Sequence, residues 1–167
     1  MTRLARLAGV VVAVACALGA CGGDDEADIA VPRADLIEPA LAAVADAAGG
    51  EPQLIEIAAT LDVVDVIVED DPGRGVLYRY DGEQLAGPLE PRDDARPTFV
   101  AADVALDPDR IFDGIRTELP DAVIIDLAVR AEGEAALVID ATVVSEQGGT
   151  LLVLLSPEGA ILGTQAT

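Results

Sequence analysis

The chain has 167 residues, with 31 Asp and Glu against 10 Arg, no Lys, no His and no Trp, giving a net charge of −21. That balance excludes nucleic acid and anionic headgroups as partners, because both are held by Lys and Arg. With no His or Lys and with Cys only at 16 and 21, neither the usual nucleophile–base pairs nor a zinc site can be assembled.

Arg3 and Arg6 precede an almost wholly apolar run over residues 7–20, the layout of a secretory signal. The run is shorter than the ~20 residues a spanning helix needs. It leads into Gly22-Gly23-Asp24-Asp25-Glu26, with no positive stop-transfer flank. Leu18-Gly19-Ala20-Cys21 resembles the lipobox of bacterial lipoproteins: Leu at −3, two small residues, then Cys. The resemblance implies cleavage between Ala20 and Cys21 and a diacylglyceryl group on the Cys21 thiol. Two acyl chains suffice for stable anchoring, at roughly 0.8 kcal/mol per buried methylene. The implied location is the extracytoplasmic face of the cell membrane. An ordinary signal cut near Ala20 would leave Cys21 as a lone thiol in an oxidising compartment. Cys16 fits the motif less well, with Ala13 at −3 and branched Val14 at −2. The Ala-, Val-, Gly-, Asp- and Arg-rich, Lys-free composition resembles that of actinobacterial proteins.

Beyond residues 1–20, residues 21–33 are acidic and small-residue rich and read as a flexible tether. Residues 34–87 and 105–167 read as two similar units joined by a linker over 88–104, with 33–167 sharing one core. Ile37, Leu41, Val44 and Ala48 form one stripe of a helix over 36–48, with Asp35 and Glu38 spaced as a capping box and Gly49-Gly50 as its stop. Alternating strands follow over 53–61, 63–69 and 75–80, and Asp81-Gly82 turns the chain into a short strand over 83–86. Pro88, Pro91 and Pro97 mark the linker, and 99–104 reads as a short strand or an extended lead-in. Asp107-Pro108-Asp109 opens a second helix with an N-cap, a proline at the first helical position and an acid in the first turn. Its stripe is Ile111, Ile115 and Leu119, and Pro120 ends it. Strands over 122–130, 135–144, 150–155 and 160–163 complete the chain.

Both units therefore run helix, three strands, tight turn, short strand. Ile55-Glu56-Ile57 matches Ile125-Asp126-Leu127, and Asp81-Gly82 matches Glu158-Gly159, at an offset of about 70–77 residues. The fold class expected is α+β: an antiparallel sheet built from two αβββ-type repeats, with both helices packed on one face. On Val138-Ile139-Asp140 and Pro157-Glu158-Gly159-Ala160-Ile161-Leu162 the chain resembles tandem PepSY-like repeats of bacterial extracytoplasmic proteins. That resemblance implies an inhibitory or partner-binding module and supplies no catalytic residues.

Carboxylate pairs of the glycosidase kind lack their usual aromatic platforms, since the chain has two Tyr and two Phe. Asp107, Asp109 and Asp113-Gly114 mimic the start of an EF-hand, but Ile111 and Phe112 fall where the loop needs a ligand and a Gly. Glu69-Asp70-Asp71 and Asp93-Asp94 are the alternative, a weak calcium site on surface loops. Asp65, Asp126 and Asp140 interrupt apolar strands and are expected to face solvent opposite the core, where they could mark a partner surface. Residues 151–155 are continuously apolar and read as a strand buried on both sides. The function expected is a membrane-anchored, non-catalytic binding or interaction module without cofactor or metal, its partner an extracytoplasmic protein. The alternative is a carrier of a lipid or other apolar ligand in a cavity between helices and sheet.

Overall fold

The computed structural model describes residues 30–89, 91–133, 136–145 and 148–167. The signal segment, Cys21 and most of the tether lie outside these described residues. Helix α1 spans Ile37–Ala48, and Ile37, Ala40 and Val44 are its buried positions. Gly49 ends it in the left-handed region at φ 76°, and the Gly50 amide donates to the Ala45 carbonyl at 3.0 Å. The expected capping box does not form. Ala34–Leu36 is already a 3-10 turn, so Asp35 sits inside it and receives two Arg33 hydrogen bonds at 2.9 Å instead. Helix α2 spans Pro108–Glu118 and begins as expected: the Asp107 side chain accepts from the Arg110 amide at 3.1 Å, with Pro108 in the first turn. Asp107 is thus a helix cap.

Nine strands form one antiparallel sheet: β1 (Leu54–Thr60), β2 (Val64–Asp71), β3 (Arg74–Tyr80), β4 (Leu85–Ala86), β5 (Arg92–Asp93), β6 (Ala122–Glu132), β7 (Ala136–Ser145), β8 (Thr150–Leu155) and β9 (Ile161–Ala166). The order is β4-β3-β2-β1-β6-β7-β8-β9, with β5 added beside β3. The α+β class therefore holds, but the sheet is larger than two αβββ units. Each half supplies a fourth strand, and the segment between the halves supplies β5.

The centre of the sheet is the β1–β6 pair, where Ala58 faces Ala128. Two rows out on either side, Glu56 faces Arg130 and Thr60 faces Asp126. A shift of 70 residues carries Glu56 to Asp126 and Thr60 to Arg130, so the halves are related by a two-fold between the two alanines. Both halves break register at the same place. The bulge between Leu54 and Glu56 in β1 recurs between Ile124 and Asp126 in β6. It also interrupts the simple alternation expected over 53–61: Leu54, Ile57 and Ala59 join the core, whereas Ile55 sits across from it beside Ile67.

The core fills one face. Ile57, Ala59, Val64, Val66, Leu127, Val129, Ala141, Val143 and Val153 are fully buried there, joined by Ile37 and Val44 of α1 and Ile111 and Ile115 of α2. Gly159, in the β8–β9 turn at φ 85°, lets α2 rest on that turn, since a Cβ there would lie 3.1 Å from the Ile111 backbone. The linker segment pairs with the sheet at several places. Beyond the β5 pairing, the Asp94 amide donates to the Gly73 carbonyl at 2.9 Å. Phe99 exchanges two backbone hydrogen bonds with Leu54 and is buried. Its prolines sit between amides that find partners on β3 and β1, which is why a Pro-rich stretch is still ordered. Residues 99–104 are a single bridge residue followed by a 3-10 turn over Ala101–Asp103.

Ile57→Ala should lower the unfolding free energy by about 2–5 kcal/mol in urea denaturation, because it empties a fully buried site at the sheet centre. Leu162→Ala, at a side chain 69% exposed, should change it by less than about 0.5 kcal/mol.

Candidate functional site: an acidic sheet face

The face of the sheet opposite the helices carries the chain's strand-borne charges, and the strand register arranges them in three rows. The middle row runs Arg79, Asp65, Ala58, Ala128, Asp140, Leu154. On one side lies Leu77, Ile67, Glu56, Arg130, Val138, and on the other Thr60, Asp126, Thr142, Leu152. Four carboxylates, Glu56, Asp65, Asp126 and Asp140, therefore surround the two central alanines, whose methyl groups leave the floor low.

Three arginines answer them unequally. Arg79 grips Asp65 through two bonds of 2.7 Å. Arg96, from the segment after β5, binds Asp94 at 2.8 and 2.7 Å and reaches Glu56 with its remaining nitrogen. Arg130 pairs with the buried Asp140, its Nη1 2.5 Å from Oδ1. Among the described residues no arginine forms an ion pair with Asp126.

The acids differ accordingly in their titration. Burial pushes the Asp126 carboxyl up to about 6, helped by the negative Asp140, Glu56 and Asp65 and opposed by Arg130. Burial raises Asp140 as well, with Arg130 working against the shift and Glu56 adding to it. Asp94 moves the other way, lowered first by its hydrogen bonds from Arg96. The sequence placed Asp65, Asp126 and Asp140 on the correct face but misjudged their exposure. Asp140 is 3% exposed and Asp126 half-buried, beside the low floor of Ala58 and Ala128. Leu151–Leu155 behaves nearly as expected: Val153 and Leu155 are buried in the core, and Leu152 and Leu154 are half-buried on the acidic face.

The other acidic candidates have structural partners. Asp70 and Asp71 lie 4.0 and 3.7 Å from Arg74, and Glu69 accepts from the Gly73 amide at 3.2 Å. Asp94 is held by Arg96, while Asp93 belongs to β5. No group of three acids among the described residues is arranged to hold a metal ion. The sequence did not single out Arg96, Arg130 or Glu56. Their signal was present only as charges at alternate strand positions, whose pairing depends on register.

On the helix side two clefts flank Val104 and Leu106. One of about 480 Å³ lies between residues 98–106 and Val129, Leu137 and Ile139. The other, of about 800 Å³, lies between those residues and Ile37, Leu41 and Ala45 of α1. No helix among the described residues is long and apolar enough to cross a membrane. Comparison with known proteins finds no matching family model, curated protein or solved structure.

Because Asp126 takes up its proton more readily folded than unfolded, its contribution to stability is present below pH 3.8 and lost as pH rises through about 6. Asp126→Asn should therefore stabilise the domain at pH 7 by roughly 1–2 kcal/mol after discounting for partial exposure, with little effect at pH 4. Denaturation curves at the two pH values check this. Arg130→Met should destabilise by about 1–3 kcal/mol by stranding the buried Asp140, and adding Asp140→Leu should recover most of that loss.

Proposed function

We propose that this chain is a non-catalytic binding module, held on the extracytoplasmic face of the cell membrane by a lipid on Cys21. The observation that carries the binding reading is the acidic face over β6–β8. There a desolvated Asp126 without an ion-pair partner lies beside the half-buried Thr142 and Leu152. Surfaces of this kind cost free energy in isolation and gain it when a complementary partner covers them. The 31 acids against 10 Arg favour a basic protein partner and disfavour nucleic acid. The absence of His, Lys and a second mature-chain Cys supports a role without catalysis.

The anchor reading rests on Leu18-Gly19-Ala20-Cys21, with the tether over 21–33 lifting the domain from the bilayer. In this reading the two halves descend from one duplicated unit of the PepSY-like kind. The shared bulge and the 70-residue shift support duplication, with β4 and β9 closing the two units at equivalent edges and β5 added by the connecting segment. A carrier of a lipid or other apolar ligand is the second reading, favoured by the clefts of about 480 and 800 Å³, a size range typical of small-molecule sites.

Cys21→Ser should move the protein from the membrane to the soluble fraction, and its retention in the membrane would refute the anchor. Native mass spectrometry of the released protein should give the bare chain mass. Extra mass lost on denaturation would favour the carrier.

A further inference from the structure

The two-fold that relates the halves shows how the acidic face is covered on one side and left bare on the other. In the first half the row Glu56–Ile67–Leu77 is flanked by the chain's own connecting segment, with Ile67 buried and Leu77 half-buried. The Leu89 amide donates to the Leu77 carbonyl at 2.9 Å. Asp94 rests over Gly75, whose missing Cβ would come within 3.4 Å of the Asp94 Cβ. Arg96 then reaches in as far as β1 to neutralise Glu56. Arg92 and Asp93 thus run along the edge of β3, and Asp94 to Arg96 then turn over the acidic face, ending in a cation on the first acid beside the two-fold.

The equivalent row in the second half is Asp126–Thr142–Leu152. Asp126 stands where Glu56 stands, one residue after the same bulge. Among the described residues nothing plays the part of Arg96 there: Asp126 has no ion-pair partner, and Thr142, Leu152 and Val144 remain half-buried. Beside them Asp140, 3% exposed, already holds Arg130 at 2.5 Å, which leaves that arginine committed away from Asp126. The strand edge offers no opening at this place, since β9 already pairs along β8. An occupant must turn over the face as Asp94 to Arg96 do.

We propose that the β6–β8 half of this face docks an extended segment of a partner protein that places an arginine or lysine on Asp126, copying the way Arg96 sits on Glu56. The partner's segment crosses β8 near Thr150, where the first half has Gly75, so it carries a small residue where the chain's own segment has Asp94. Its cation meets Asp126 and reduces the field on Asp140, and its flanking apolar atoms cover Thr142 and Leu152. This inference rests on the binding-module reading and names the surface and the chemistry of the partner.

The probe is a capped, fluorescently labelled peptide, Pro-Arg-Asp-Gly-Ala-Arg-Pro-Thr, which copies residues 91–98 with Asp94→Gly. Fluorescence anisotropy follows its binding to the full chain in detergent micelles. Saturable binding is expected, weakened about tenfold or more by Asp126→Asn in the protein or by replacing the peptide's second arginine with alanine. The two changes together should cost little more than either alone, which identifies them as partners. Leu152→Arg should abolish binding, whereas Glu38→Gln on α1 should leave it unchanged. No saturable binding up to about millimolar peptide by a chain with native circular dichroism, a range that covers affinities weaker than most specific contacts, would overturn the proposal. Equal affinity in the wild type and Asp126→Asn would also overturn it. If binding survives both Asp126→Asn and Leu152→Arg but is lost in Leu41→Arg, the acidic face is wrong while a binding module remains, its site moved to the helix side.

Discussion

The antiparallel pairing of β1 with β6 is the interaction on which the rest of the structure depends. It joins two halves that would each leave one sheet face uncovered, and it fixes a register in which every core side chain of one half continues the row of the other. Ile57 meets Val129 and Ala59 meets Leu127 on the helix side. Because the side-chain period of a strand is two, a slip of β1 by one residue would send Ile57 and Ala59 to the acidic side and Glu56 into the core. The same pairing therefore sets both the core and the charge cluster.

The cluster follows from having few cations. The described chain contains Arg33, Arg74, Arg79, Arg92, Arg96, Arg110, Arg116 and Arg130, and most are already committed to nearby acids. Arg130 alone serves the second half of the face, and it is spent on Asp140. Asp126 is left to share a desolvated floor with three other carboxylates, which lifts its titration toward neutrality. Its position is the cost of building two nearly equivalent halves of which only one is covered by the connecting segment.

That connecting segment explains the asymmetry. Prolines at 88, 91 and 97 interrupt it, and the β5 pairing with the Leu89 and Asp94 amides attaches it to β3. Phe99 pins its far end to Leu54, after which the chain crosses to the helix side and forms the walls of both clefts. One irregular stretch thus covers an acid on one face and shapes apolar grooves on the other. Such segments are where loops become functional surfaces on a rigid scaffold.

The sequence alone determined what depends on local order. The Asp107-Pro108 helix start, the Gly49 stop, the strand alternation of Val64, Val66 and Val68, and the correspondence of Ile55-Glu56-Ile57 with Ile125-Asp126-Leu127 were all legible, because each is set within a few residues. Asp65, Asp126 and Asp140 could likewise be assigned to the face away from the core. Only the tertiary structure decided how deeply they are buried, which of them meet an arginine, and that Arg92–Asp93 and Phe99 of the connecting segment pair with the sheet. Those outcomes rest on contacts between positions such as Arg96 and Glu56, far apart in the chain. Alternation fixes a side of a strand, but cross-strand register and a covering segment fix the neighbour, and the neighbour sets the charge state.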